Sequence, residues 1–163
     1  MDAPDISVII PVGNAMPFLK ETIASLREQT YENFEAILID IGSEDGSCDV
    51  LRSEAESDSR FHLLAWDCTG TGAARNRALS AAGGSYVVFL ESGDQFHPRL
   101  LERLYLTARE QQADIVACNH IRFAASGREF PQTGIRTEWL PAGTCVFSHR
   151  DCPDFVLRIA GPM

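Results

Sequence analysis

The sequence predicts an α/β fold, a three-layer sandwich whose predominantly parallel central sheet is covered by helices on both faces. Two observations predict it. Apolar runs of strand length (Ile6–Val12, Phe34–Asp40, Phe61–Trp66, Tyr86–Leu90 and Asp114–Asn119) alternate with stretches of helical periodicity. The runs also lack polar alternation, and Tyr86-Val87-Val88-Phe89-Leu90 reads as a strand from the middle of a parallel sheet, buried on both faces. Such alternation is closed by right-handed crossovers, which place all parallel strand ends on one edge.

Each element has its own reason. Ile6–Val12 is a continuous, largely β-branched run. Gly13-Asn14 turns the chain, and Pro17 fits the first turn of a helix, where its missing N–H costs nothing. Phe18, Leu19, Thr22, Ile23 and Leu26 then recur at helical spacing. After the second strand, Ile41-Gly42-Ser43-Glu44-Asp45-Gly46-Ser47 is a loop of turn formers and helix caps, followed by a polar helix from Cys48 to Ser57. An alanine-rich helix from Gly72 to Ala82 can lie close against a sheet. Pro98 opens a helix with the stripe Leu100, Leu101, Leu104, Tyr105 and Ala108. From Ile121 to Thr144 the pattern is irregular, with Ser126-Gly127 a hairpin turn between strand-like arms. Asp151 to Ile159 reads as a short helix capped by Asp151, with Pro153 in its first turn.

Composition narrows the function classes. A chain of 163 residues, 45% hydrophobic, builds one domain of ordinary size, and no linker or repeat divides it. A net charge of -9 argues against nucleic acid and anionic membranes as partners. No apolar run approaches the roughly 20 residues that span a bilayer. The 5 cysteines are odd in number and have no Cys-x-x-Cys pair, so they read as reduced thiols of a cytoplasmic protein. The four histidines, His62, His97, His120 and His149, have no metal-ligand spacing.

Three loops should converge on one edge: Pro11 to Asn14, Asp40 to Asp45, and Glu91 to Asp94. A fourth, Thr69 to Arg77, places Arg75 and Arg77 early in a helix, where the dipole disfavours cations by a few tenths of a kcal/mol. That placement points either to an anionic partner or to ion pairs with the acidic loops. Gly70-x-Gly72-x-x-Arg75 imitates a dinucleotide fingerprint, but Arg75 stands where the third glycine belongs.

Further order is visible in the motifs themselves. Ile-Ser-Val-Ile-Ile-Pro-Val at Ile6–Val12, Glu21 with Gln29-Thr30-Tyr31, Asn33-Phe34-Glu35, and Asp40-x-Gly42-Ser43-x-Asp45-Gly46-Ser47 follow one another along the chain. Gly72-Ala73-Ala74-Arg75-Asn76 and Tyr86–Leu90 complete the series. Together, from about Asp5 to Asn119, they resemble the GT-A glycosyltransferases of family 2.

The resemblance implies a Rossmann-like GT-A domain over residues 1–163, stopping before the acceptor-binding part is complete. It implies inverting transfer of a sugar from a nucleoside-diphosphate sugar, a uridine one in most of the family, to an acceptor that the motifs do not name. The setting it implies is cell-envelope or extracellular polysaccharide synthesis, in the cytoplasm or at the inner face of the membrane as part of a longer protein. It implies Mg²⁺ or Mn²⁺ as a Lewis acid at the leaving diphosphate. Carried over by position, Pro11, Val12, Asn14, Asp40, Gly42, Arg75, Glu91 and Ser92 would contact the donor. Glu91 and Asp94 are the candidates for a metal ligand.

The family's pattern is broken at three of these places. Gly13 stands where the family has tyrosine, and Ile41 where it has a second aspartate that contacts the base. The Asp-x-Asp motif reads Glu91-Ser92-Gly93, without its second carboxylate. Two expectations follow: a glycosyltransferase, or a catalytically inactive GT-A module that binds nucleotide or serves as a scaffold within a larger envelope enzyme. No catalytic base is singled out among Asp114, Glu129, Glu138, Asp151 and Asp154.

Overall fold

The computed structural model describes residues 3–64, 70–118, 120–123 and 129–132, with 122, 123 and 129–132 as backbone. The chain divides into two compact units between Leu106 and Thr107.

The first unit is built on a sheet of four parallel strands in the order β3-β2-β1-β4. These are β1 (Ile6–Val12), β2 (Phe34–Asp40), β3 (Phe61–Leu64) and β4 (Tyr86–Phe89). Connecting them are α1 (Met16–Arg27), α2 (Ser47–Ser57) and α3 (Thr71–Ala81), and α4 (Leu100–Gln111) begins in this unit. β1 is paired on both edges and buried along its whole length, as its unbroken apolar run demands. One face of the sheet, carrying Val8, Ile10, Val12 and Leu38, packs on Leu19, Ile23 and Leu26 of α1, Leu51 of α2 and Leu101 of α4. The other face carries Ile9, Ile37 and Ile39 under Ala74 and Ala78 of α3. The alanines have no bulk beyond Cβ, so this helix lies close to the strands.

The amino edge of the sheet is latched by backbone approach. Ser7 Oγ accepts from Gly84 N at 2.9 Å and donates to Glu35 Oε1 at 2.6 Å, and Gly83 N donates to the same carboxylate at 2.7 Å. A Cβ at Gly84 would stand 2.5 Å from the backbone nitrogen of Ser7, so only glycine fits.

Several expectations need correction. The expected strand Tyr86–Leu90 is β4, which ends at Phe89 and, among the described residues, pairs on one side only, with β1. Val87 and Phe89, which share one face of the strand, are 37% and 47% exposed, so the expected burial on both faces is not met. Asp114–Cys118 forms no strand: it has no ladder partner among the described residues, and Ile115 is exposed. Apolar character alone does not make a strand without pairing. In the second unit the strands are β5 (His120–Phe123) and β6 (Glu129–Gln132), an antiparallel pair. They are the arms expected around Ser126-Gly127, whose turn lies outside the described residues. Pro98 lies ahead of α4 rather than in its first turn. Ala65-Trp66 of the third expected strand, and the expected helix at 151–159, also lie outside the described residues.

Candidate functional site

Because the four strands run parallel, the loops leaving their carboxyl ends share one edge. The chain moves from β1 to β2 and β3 on one side, then crosses back to lay β4 on the other. Such a reversal opens a crevice outside the ends of the two strands it separates, here β1 and β4. Asp40, Arg75 and Glu91 therefore belong to one edge, as the sequence required.

Pro11 and Val12 close β1 and are buried. Val12 is in register with Asp40, and Ile41 N donates to Val12 O at 2.8 Å. Both oxygens of Asp40 accept long contacts of 3.3 Å from Ser43 N across a tight turn. Gly42 sits inside that turn with φ 90°, a conformation suited to glycine.

The first two loops are stitched together by side chains. Asn14, with φ 49°, accepts from Glu44 N at 2.9 Å, while Asn14 N donates to Ser43 Oγ at 3.1 Å. Ala15 N donates to Ser47 Oγ at 3.0 Å, and Met16 N donates to Asp45 Oδ2 at 2.9 Å. Asp45 Oδ1 also accepts from Ser47 Oγ at 2.6 Å and Ser47 N at 3.0 Å. The Ser47 hydroxyl first, and then the Met16 and Ser47 amides, hold the Asp45 carboxyl below its ordinary range. The side chains of one loop thus cap the helix that starts from the other. The Ser- and Asp-rich composition signalled capping, but not that the capped helix would be α1.

Gly13 and Ile41 face each other in this rim. A Cβ at Gly13 would lie 2.8 Å from Ile41 Cγ1 and 3.0 Å from Ile41 Cδ1. The half-buried isoleucine thus fills the space a larger residue at 13 would need. The two departures from the family pattern are in contact. Sequence separation concealed this, and only the β1–β2 register reveals it.

On the other side of the crevice, Leu90 N donates to Ile9 O at 3.0 Å and the chain turns sharply. Gly93 N and Asp94 N both donate to Glu91 O, at 2.8 and 3.0 Å. Ser92 is half-buried in this turn, and Asp94 and Gly93 are exposed. Arg75 reaches across from α3 and donates from Nη2 to Glu91 Oε1. Its guanidinium carbon is 5.8 Å from the centre of the Phe89 ring. Arg75 Nε–H is buried and meets no acceptor among the described residues, a cost of about 1–3 kcal/mol. The ion-pair alternative for Arg75 is therefore realised, with a donor left over. Arg77 is exposed on α3.

These residues do not fit a resident divalent cation. Glu91 already faces a guanidinium, Gly93 brings no oxygen, and the described residues contain no group of three or more His, Cys, Asp or Glu that could hold a metal. Of the candidate bases, Asp114 is exposed and Glu129 lies in β6; Glu138, Asp151 and Asp154 are outside the described residues. No helix among the described residues is long and apolar enough to cross a membrane.

Comparison with known proteins gives this edge a context. Residues 7–150 match glycosyl transferase family 2. The chain is 34% identical to EpsH of Bacillus subtilis over 82% of this chain and 37% of EpsH. It is 38% identical to the amylovoran biosynthesis glycosyltransferase AmsB of Erwinia amylovora over 66% of this chain and 38% of AmsB. The fold is similar to S. aureus TarS in complex with UDP-GlcNAc, with TM-score 0.71 and 24% identity over 81% of this chain and 38% of that one. The mannosyltransferase PcManGT of Pyrobaculum calidifontis, in complex with GDP-Man and Mn²⁺, is 28% identical with TM-score 0.52, over 59% of this chain and 29% of that one. The chain thus spans well under half the length of these relatives. With the family match running over most of its residues and the parallel sheet of GT-A enzymes at its centre, the chain belongs to glycosyl transferase family 2.

Proposed function

We propose that this chain is the nucleotide-sugar-binding part of an inverting glycosyltransferase of envelope or extracellular polysaccharide synthesis, working on the cytoplasmic side. Residues 1–163 are read as belonging to one GT-A domain. The observation that carries the reading is the convergence of three loops and Arg75 on the crevice between β1 and β4. The donors bound by TarS and PcManGT, and the biosynthetic name of AmsB, agree with it.

In the reaction, an acceptor hydroxyl attacks the anomeric carbon from the face opposite the diphosphate. The bond from that carbon to the diphosphate oxygen breaks, and a carboxylate takes the hydroxyl proton. Pro11, Val12, Asp40 and Gly42 would shape the nucleoside side, with Asn14 holding the loop. Glu91 and Ser92 would meet the sugar, and Arg75 the diphosphate. The acceptor and the base remain unassigned.

A second reading, a GT-A module that binds nucleotide without turnover, is favoured by one observation. The β4 turn offers Glu91 already paired to Arg75 and no carboxylate at Gly93. A thermal-shift panel of uridine, guanosine, cytidine and adenosine diphosphates, run beside hydrolysis of UDP-GlcNAc, separates the two. A raised melting temperature with slow hydrolysis supports a transferase, and a raised temperature without turnover supports the module. No shift with any nucleotide would contradict both.

A further inference from the structure

We propose that this chain takes its nucleoside diphosphate without a divalent cation, with the Arg75 guanidinium supplying the positive charge beside Glu91. The inference rests on the nucleotide-sugar reading, and it departs from the Mn²⁺ that accompanies GDP-Man in PcManGT.

Three observations carry it. The first is occupancy of the acidic group. Arg75 Nη2 is bonded to Glu91 Oε1, so a hard dication and a guanidinium compete for the same carboxylate. The second is the poverty of oxygen ligands. Gly93 has no side chain, Asp94 offers a single exposed carboxylate one residue further on, and the described residues offer no three-ligand cluster. The third is donor capacity. A guanidinium carries five donors in a planar fork that matches phosphate oxygens in pairs, the bond to Glu91 is made by Nη2, and the Arg75 side chain is 35% exposed.

Topology puts this cation where an anion would arrive. Glu91 and Arg75 stand at the crevice outside β1 and β4, with the guanidinium carbon 5.8 Å from the centre of the Phe89 ring. A diphosphate there would otherwise meet the Glu91 carboxylate as a like charge. Arg75 neutralises that carboxylate and keeps donors for the phosphate. Because the Arg75–Glu91 pair is net neutral where a dication would add two positive charges, binding is expected to be moderate and to weaken with added salt.

The test is calorimetry of UDP with the full chain, once in EDTA and once in excess Mn²⁺. Affinities within about twofold in the two buffers are expected, as is a loss of at least about tenfold in Arg75→Met. Gly93→Asp has open space for its new side chain and should acquire Mn²⁺-dependent binding. Should Arg75→Met fail to show the parent's melting transition, Glu91→Gln replaces it. Freeing Arg75 from its pair is expected to keep or strengthen binding in EDTA, and a tenfold loss there would overturn the proposal. Binding by the parent chain only with Mn²⁺ would overturn the inference and leave the nucleotide-sugar reading standing. So would an Arg75→Met variant that binds as tightly as the parent. A folded parent chain that binds neither UDP nor GDP in either buffer would overturn both.

Discussion

Gly13 and Ile41 are where the rim of this site is most constrained. The isoleucine side chain stands against the position a Cβ would take at 13, so Gly13→Ala forces Ile41 off its rotamer and is expected to cost about 0.5–1.5 kcal/mol. Ile41→Gly removes the opposing side chain, and the double variant should recover most of the loss from the first. Urea unfolding of the four proteins measures this; additive losses would mean that the two residues do not share that space. Ile41→Asp goes further, since it offers a polar group where the chain now has none. On the proposed reading it should tighten UDP binding by about 1–3 kcal/mol, the worth of a partner regained by the base. The sequence identified both departures but not their contact. Periodicity places each residue at a strand end, and only register brings two residues so far apart in sequence to the same point.

At the scale of elements, the Asp45–Ser47 segment caps α1 and α2 together and so ties the loops after β1 and β2 to each other. Ser47 is buried and its hydroxyl serves Ala15 N and Asp45 together. Ser47→Ala should therefore cost about 1–2 kcal/mol, as loss of a helix cap does, with little change in core packing. Asp45 adds a pH dependence of definite sign. Its carboxyl is held below the ordinary value in the folded chain, so its contribution is complete above the ordinary carboxylate range. That contribution fades as pH falls through the depressed value. Thermal melts from neutral to acid pH should lose more stability in the parent than in Asp45→Asn, and parallel curves would contradict the assignment. The capping chemistry was readable in a loop of Gly, Ser and Asp. The identity of the capped helix was not, because it depends on how two crossovers lie side by side. Similarly, Tyr86–Leu90 declared itself a strand but not its pairing with β1, and the Asp114–Cys118 run has the composition of a strand without a ladder to join among the described residues.

For the whole molecule, alternation of apolar runs with helical stretches was enough to specify the parallel sheet, because only crossovers join such strands. The same rule brings Asp40, Glu91 and Arg75 to one edge. The order β3-β2-β1-β4, which locates the crevice between β1 and β4, was beyond reach of pattern alone. So was the latch at the amino edge, where Gly84 lies on Ser7. On the proposed reading, nucleotide binds at the carboxyl edge of this sheet. A titration of the isotope-labelled chain with UDP, following backbone amide chemical shifts, tests this. Shifts are expected at Val12, Ile41, Gly42, Arg75 and Glu91, with Ser7, Gly83 and Gly84 at the opposite edge unmoved. Shifts confined to the amino edge, or a carboxyl edge that stays silent at saturating UDP, would contradict it.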